Sequence, residues 1–345
     1  MLAELTSAAR RLALAGLAKN TGKTVALTAL LGELHAAGER VGVTSIGRDG
    51  EEHDVIDARI DKPRVELAAG DLVATTDALL EASGAEHEVL EHTGARTPLG
   101  RVVVARVTAP AAIEVAGPSA AVQVREAADA MIAHGAARVL VDGAIDRRAA
   151  SSPSVADGLV LATGAVLGAD VEEVVLATRR AVELVRLPTV PAALADSLAP
   201  LCALPGSGAL VGAGVATELA PRFALTADQG ALEALLDENP DAERLVLPGA
   251  VPEALLAQLA AALRQRRREL TVVAGDPTHI FLTEREPGWY RRQGLSLETV
   301  RAISLLALTV NPVAPMSHSL DSAALCAALR EAIPDVAVLD VLSAA

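Results

Sequence analysis

Short apolar runs alternate along this chain with longer stretches in which apolar residues recur every three or four positions. Residues 12–15 are an unbroken apolar run that stops at Gly16, the pattern of a parallel strand buried on both faces. Residues 24–37 then place Val25, Leu27, Leu30, Leu31 and Leu34 at helical spacing and stop near Gly38. Residues 40–46 alternate as a second strand. Strand, loop, helix and strand within about thirty residues form a βαβ crossover unit.

Residues 64–107 change character. The segments 64–67, 71–75, 87–92 and 101–107 read as short strands with glycine-bearing turns, and the last two form a hairpin around Gly94 to Gly100. A helix is expected over 119–134, after Gly117-Pro118. Residues 138–142 form a strand running straight into Asp142-Gly143, 158–162 another buried strand, and 170–185 a helix. Pro188, Pro191 and Pro200 mark the best boundary in the chain. Beyond them, strands at 244–247, 270–274, 305–310 and 336–341 alternate with helices near 252–267 and 320–332. The expected fold is α/β. A P-loop NTPase domain over 1–190 has a mainly parallel sheet and an inserted short-strand region, and a C-terminal α/β region spans 191–345. Whether that second region adds strands to the first sheet or builds its own is open from the pattern alone.

Composition removes several classes of function. The net charge is −14, and the one basic block, residues 264–268, reads as a solvated helix end. Neither nucleic acid nor an anionic membrane is an expected partner. Aromatic side chains are only Phe223, Phe281, Trp289 and Tyr290, too sparse for base-stacking platforms. Cys202 and Cys326 lie far apart outside any CxxC pattern, which suits a reducing cytoplasm. No apolar run reaches the length of a membrane span, and the first residues do not read as a signal peptide.

The chemistry concentrates in one loop. Of 30 basic side chains, only Lys19, Lys23 and Lys62 are lysine, and two of these flank Asn20-Thr21-Gly22. A phosphate cradle uses a compact ammonium where a planar guanidinium fits poorly. The stretch from Gly16 to Thr24 is GxxxxxGKT, one residue longer than GxxxxGK[ST], so Leu17 takes the usual first-glycine position. A strand precedes it and a helix follows. On this reading Gly16, Lys19, Asn20, Thr21, Gly22, Lys23 and Thr24 bind a nucleoside triphosphate, with Lys23 bridging the β- and γ-phosphates and Thr24 taking a Mg²⁺ position. Lys19 either touches phosphate or faces solvent. Carboxylates at the ends of parallel strands are the metal and catalytic candidates: Asp142, and Asp49, with Arg48 beside it to neutralise phosphate. An acidic turn residue is the competing reading for each. Asp54, Asp57, Asp146 and Arg147 stand second. The guanine-reading Asn/Thr-Lys-x-Asp loop is absent, since Lys62 sits in Asp61-Lys62-Pro63-Arg64, so ATP is favoured over GTP.

Three other features read as structural. His87 and His92, among Glu86, Glu88 and Glu91, are five residues apart and fall on different faces of a helix or strand. Leu210-Val-Gly212-Ala-Gly214 is a weak dinucleotide-type loop without a third glycine. His318 lacks the Asp-x-His-x-x-Gly surroundings of a base-off cobalamin ligand, and no direct cobalamin site is assigned.

The loop spacing resembles the MinD/dethiobiotin synthetase class of P-loop proteins. An ordered set of segments resembles, more specifically, the P-loop ATPase subunit of the lysine 5,6-aminomutase reactivase. These are Gly16 to Thr24, Thr44-Ser-Ile-Gly-Arg-Asp-Gly50, Thr97-Pro-Leu-Gly-Arg101, Ala116-Gly-Pro-Ser119, Val141-Asp-Gly-Ala-Ile-Asp-Arg147, Ala162-Thr-Gly-Ala165 and Asn311-Pro312. The resemblance implies an ATP-driven, chaperone-like subunit. It would work with a second reactivase subunit to exchange damaged cobalamin in an adenosylcobalamin-dependent aminomutase. A dethiobiotin synthetase-like ligase and a partitioning-type ATPase are the alternatives. Ala18, where the partitioning ATPases carry a second lysine, counts against the latter.

Overall fold

A computed structural model describes residues 1–46, 64–144, 150–203, 207–220, 223–315 and 317–342. The chain divides into two compact units, Met1–Arg179 with Ser304–Ala345, and Arg180–Ile303. The proline cluster therefore lies close to where the chain enters the second unit, but the expected boundary at 190/191 does not separate the halves. Residues 304–345 return to the first unit because their strands pair with its sheet.

That sheet has nine strands. In chain order they are β1 (Arg11–Gly16), β2 (Val41–Ser45), β3 (Leu72–Thr76), β4 (His87–Thr97), β5 (Gly100–Val107), β6 (Arg138–Ala144), β7 (Gly158–Gly164), β8 (Leu305–Asn311) and β9 (Ala337–Leu339). Their spatial order is β9-β8-β7-β1-β6-β2-β3-β5-β4. Every pairing from β9 to β3 is parallel, and the β5–β4 hairpin closes one side antiparallel. Of the short-strand region, Val65–Leu67 stands apart, paired antiparallel with Ala111–Ile113 in a two-stranded sheet of its own. β3 pairs with β2, and the hairpin extends the nine-stranded sheet.

The strands at the centre are apolar on both faces. Leu12, Ala13, Leu14 and Ala15 of β1 and Val139, Leu140 and Val141 of β6 are all buried. Helices supply the cover: α1 (Lys23–Ala36), α2 (Ala121–Ala133) and α4 (Ser322–Ala332), joined by the first part of α3 (Val171–Val185), whose Thr178 hydroxyl bonds that of Thr163 in β7 at 2.6 Å. α1 buries Leu27, Leu30, Leu31 and Leu34 of the expected stripe, with Ala26 in place of Val25, which is exposed. It stops at Gly38, whose φ of 73° a side chain would resist, while Glu39 N–H donates back to the Leu34 carbonyl at 3.0 Å.

The second unit has its own five-stranded sheet. The strands Arg244–Val246, Leu270–Ala274 and Leu295–Thr299 are parallel, and the antiparallel hairpin Ala209–Gly212/Val215–Glu218 adds to one side. The Gly212-Ala-Gly214 stretch is the turn of this hairpin, with Ala213 at φ 48° and Gly214 at φ 78°. That is the left-handed pair a two-residue hairpin turn requires. Helix Glu253–Arg266 packs Leu255, Leu256, Leu259 and Leu263 into this unit's core.

Candidate functional site

Open α/β sheets present ligand sites at the C-terminal ends of their parallel strands. At that end of β1 the chain runs through residues 17–22 and enters α1 at Lys23. Two residues turn it, Asn20 at φ 65° and Gly22 at φ 86°. Glycine adopts this backbone freely, and asparagine tolerates it better than most residues. Leu17 N–H donates to the Ala162 carbonyl of β7 at 2.9 Å. Thr21, 1 % exposed, folds inward and donates its hydroxyl to the Ala18 carbonyl at 3.0 Å. A Cβ on Gly16 would collide with that hydroxyl, so the glycine before the loop is a steric requirement.

Gly22 precedes α1, and no side chain among the described residues caps the helix. The first-turn N–H groups have no acceptor within a helix and depend on a partner from outside it. With the helix dipole, they favour an anion. Thr24 is half-buried on this first turn, while Lys19 and Asn20 are exposed.

Lys23 points at the neighbouring strand. Its Nζ lies 2.8 Å from Asp142 Oδ1, with the two side chains 24 % and 29 % exposed. Oδ1 is itself shielded and has no aligned hydrogen bond among the described residues. The contact is therefore a charge pair rather than a well-formed hydrogen bond. β6 fixes the carboxylate: Asp142 sits opposite Ser45 of β2, and its carbonyl accepts from Ile46 N–H at 3.1 Å. The sequence candidates Gly16 to Thr24 and Asp142 thus come together from two adjacent strands. Arg48 and Asp49 lie outside the described residues, as do Asp54, Asp57, Asp146 and Arg147.

Other segments of the ordered set reach the same sheet edge. Gly117 N–H donates to Ser45 Oγ at 2.9 Å, and a Cβ there would overlap the Ser45 carbonyl. Ala162 to Ala165 closes β7 beside the loop. Thr97 to Arg101 forms the tip of the β4–β5 hairpin, where a Cβ on Gly100 would meet Asp77. Sequence reasoning did not find the contact made by Asn311 at the end of β8. Its Nδ2 donates to the Asn20 carbonyl at 2.8 Å.

The remaining candidates make local contacts. His87 Nδ1 bonds the Ala85 carbonyl at 2.8 Å, and Glu88 pairs with Arg106 at 2.7 Å. Among the described residues, no group of three His, Cys, Asp or Glu side chains is placed to hold a metal. His318 Nε2 donates to the Gly168 carbonyl at 3.0 Å.

The second unit carries a contrasting charged cluster. Glu253 accepts from the Thr283 N–H and hydroxyl, the Glu284 and Arg285 N–H groups and the Tyr290 hydroxyl, at 2.6 to 3.0 Å. Burial alone would raise its pKa, but the Thr283 hydroxyl and the three N–H donors outweigh it and hold the value at about 2. Burial, with Glu253 as acceptor, pushes Tyr290 up to about 12. Arg285 lies over the Trp289 ring at 4.3 Å. Burial likewise raises the Cys202 thiol to about 11, so it remains protonated and unreactive at neutral pH.

No family model matches the chain, and neither a curated protein nor a solved structure matches it.

Proposed function

We propose that the first unit binds ATP with Mg²⁺ and hydrolyses it, as the ATPase subunit of a reactivase for an adenosylcobalamin-dependent aminomutase. The observation that carries the nucleotide reading is Lys23. It stands at the end of a glycine-bounded loop, 2.8 Å from a carboxylate on the adjoining parallel strand. The reactivase reading rests on the ordered set of segments from Gly16 to Asn311-Pro312.

The residues present fit both groups. Uncapped N–H donors, a left-handed loop and an ammonium suit a polyphosphate. One hydroxyl and one carboxylate suit a cation that keeps most of its waters. Mg²⁺ would be held by Thr24 and Asp142, and when bound it neutralises charge on the phosphate oxygens. Without nucleotide, Lys23 neutralises Asp142. An entering phosphate competes for the same ammonium, so Lys23 changes partner and Asp142 Oδ1 is released. The α1 N–H groups take phosphate oxygens. Charge and composition support a cytoplasmic protein acting on a protein partner, without nucleic acid. No helix among the described residues is long and apolar enough to cross a membrane.

The test is steady-state hydrolysis of ATP and GTP, with and without an inactivated aminomutase and the second reactivase subunit. We expect slow basal hydrolysis of ATP, preference over GTP, and stimulation by the partners with recovery of mutase activity on adding adenosylcobalamin. Equal ATPase rates in every mixture, without recovery, would defeat the reactivase reading. Absence of nucleotide binding would defeat the whole.

A further inference from the structure

We infer that Asn311 is a positioning residue that clamps the loop at residues 17–22 in its phosphate-accepting shape; the inference rests on the nucleotide reading above. Residue 311 is 291 positions from Asn20 in sequence, yet its side-chain Nδ2 donates to the Asn20 carbonyl at 2.8 Å. Its Oδ1 accepts from Val313 N–H at 3.1 Å. Both ends of the amide are therefore used, and its orientation is fixed. Turning it over would set an NH₂ against an N–H and an oxygen against a carbonyl.

Two glycines make the room. A Cβ on Gly22 would come 2.9 Å from Asn311 Cβ, and one on Gly164, opposite Asn311 in the β7–β8 register, would overlap the Asn311 carbonyl. Asn311 thus packs directly against the backbone of the loop and of the next strand. The bond lands on Asn20, which carries the loop's left-handed turn with a side chain in place. Such a conformation persists where its surroundings hold it. The neighbouring Thr21 tie to Ala18 is internal to the loop. The Asn311 bond instead anchors the turn to the sheet.

Two variants separate this role from simple structural support. Asn311→Ala removes the donor. Asn311→Asp keeps the shape, removes the donor and sets a negative charge beside the anion site. A third change, Asn20→Gly, lets the turn form without restraint, since glycine meets no penalty at this φ.

The experiment measures ATP affinity, turnover at saturation, and hydrogen exchange of a peptide covering residues 17–22 in nucleotide-free protein. Asn311→Ala should weaken ATP binding about tenfold while saturated turnover falls less than about threefold, and loop exchange should quicken. Asn311→Asp should weaken binding further. Adding Asn20→Gly to Asn311→Ala should recover most of the lost affinity, which loss of general stability would not allow. Unchanged exchange in a folded Asn311→Ala protein overturns the clamp, whatever the nucleotide result. Failure of the wild-type chain to bind ATP overturns the nucleotide reading instead, and the exchange arm still decides whether Asn311 holds the loop.

Discussion

Two charged clusters, one in each unit, differ in how fully their polar groups are satisfied. Around Glu253 the donors converge until the carboxylate has five hydrogen bonds and a pKa of about 2. Around Lys23 and Asp142, among the described residues, there is one charge pair, no aligned hydrogen bond on Oδ1, and a helix turn without a side-chain cap. The first cluster fastens residues 283–285 to helix Glu253–Arg266 and leaves nothing for a ligand to satisfy. The second keeps donors and a cation available. A charged group whose valences are filled by its own chain is a fastener. One whose valences stay open toward its described neighbours, on a backbone turned through left-handed conformations, leaves room for a ligand.

The sharpest way to break this contrast is Lys23→Ala. Hydrolysis should fall to background, while folding stability changes by no more than about 1 kcal/mol, because the lost pair is partly exposed. A folded variant with normal turnover would remove the distinction. Asp142→Asn comes next. It keeps the shape and removes the charge, so hydrolysis should fall at least about tenfold across a Mg²⁺ titration, about 1.4 kcal/mol of transition-state stabilisation. Unchanged turnover would transfer the metal role elsewhere.

Glu253→Ala should do the opposite. Stability should fall by about 2 kcal/mol, since donors lose their acceptor and only the outer ones regain water. Saturated ATP turnover at a temperature where the variant is folded should stay at the wild-type level. A large loss of turnover would show that the cluster is more than a fastener. The smallest effect is on acid stability. The folded pKa of Glu253 is depressed from 4.5 to about 2. The stability it contributes is present in full above the unfolded value and is lost as pH falls through the folded one. Between those values, Glu253→Gln should lose less stability than wild type in urea melts. Parallel losses would remove the carboxylate from the acid response.

The parts of the fold that rest on local pattern were legible in the sequence. β1, α1, β6 and β7 are marked by apolar runs and helical spacing, because a strand buried on both faces and a helix on its cover have unmistakable periods, whereas β2 reads as alternating although all five of its residues are buried. The Val215–Glu218 strand was not, since all four residues are exposed and carry no alternation. Leu295–Thr299 was missed although Leu295, Leu297 and Thr299 alternate as buried positions with Ser296 and Glu298 between them. The return of β8 to the first sheet was not legible either, because strand order depends on pairing between distant segments. The same limit applied to the site. Lys23 and Asp142 could be named because each sits in a local motif. The contact between Asn311 and Asn20 leaves no mark in either neighbourhood.

The order of the sheet also bears on how the protein is made. β8 lies between β7 and β9, and Asn311 ends β8, yet these residues leave the ribosome only after the whole of Arg180–Ile303. Until then β7 presents an apolar, unpaired edge to the cell, the kind of surface that recruits foreign strands. A fragment ending near residue 190 would keep that edge permanently and should aggregate. The contact between Asn311 and Asn20 can therefore form only after residues 180–303 have been made, so the loop at 17–22 is tied to the sheet late.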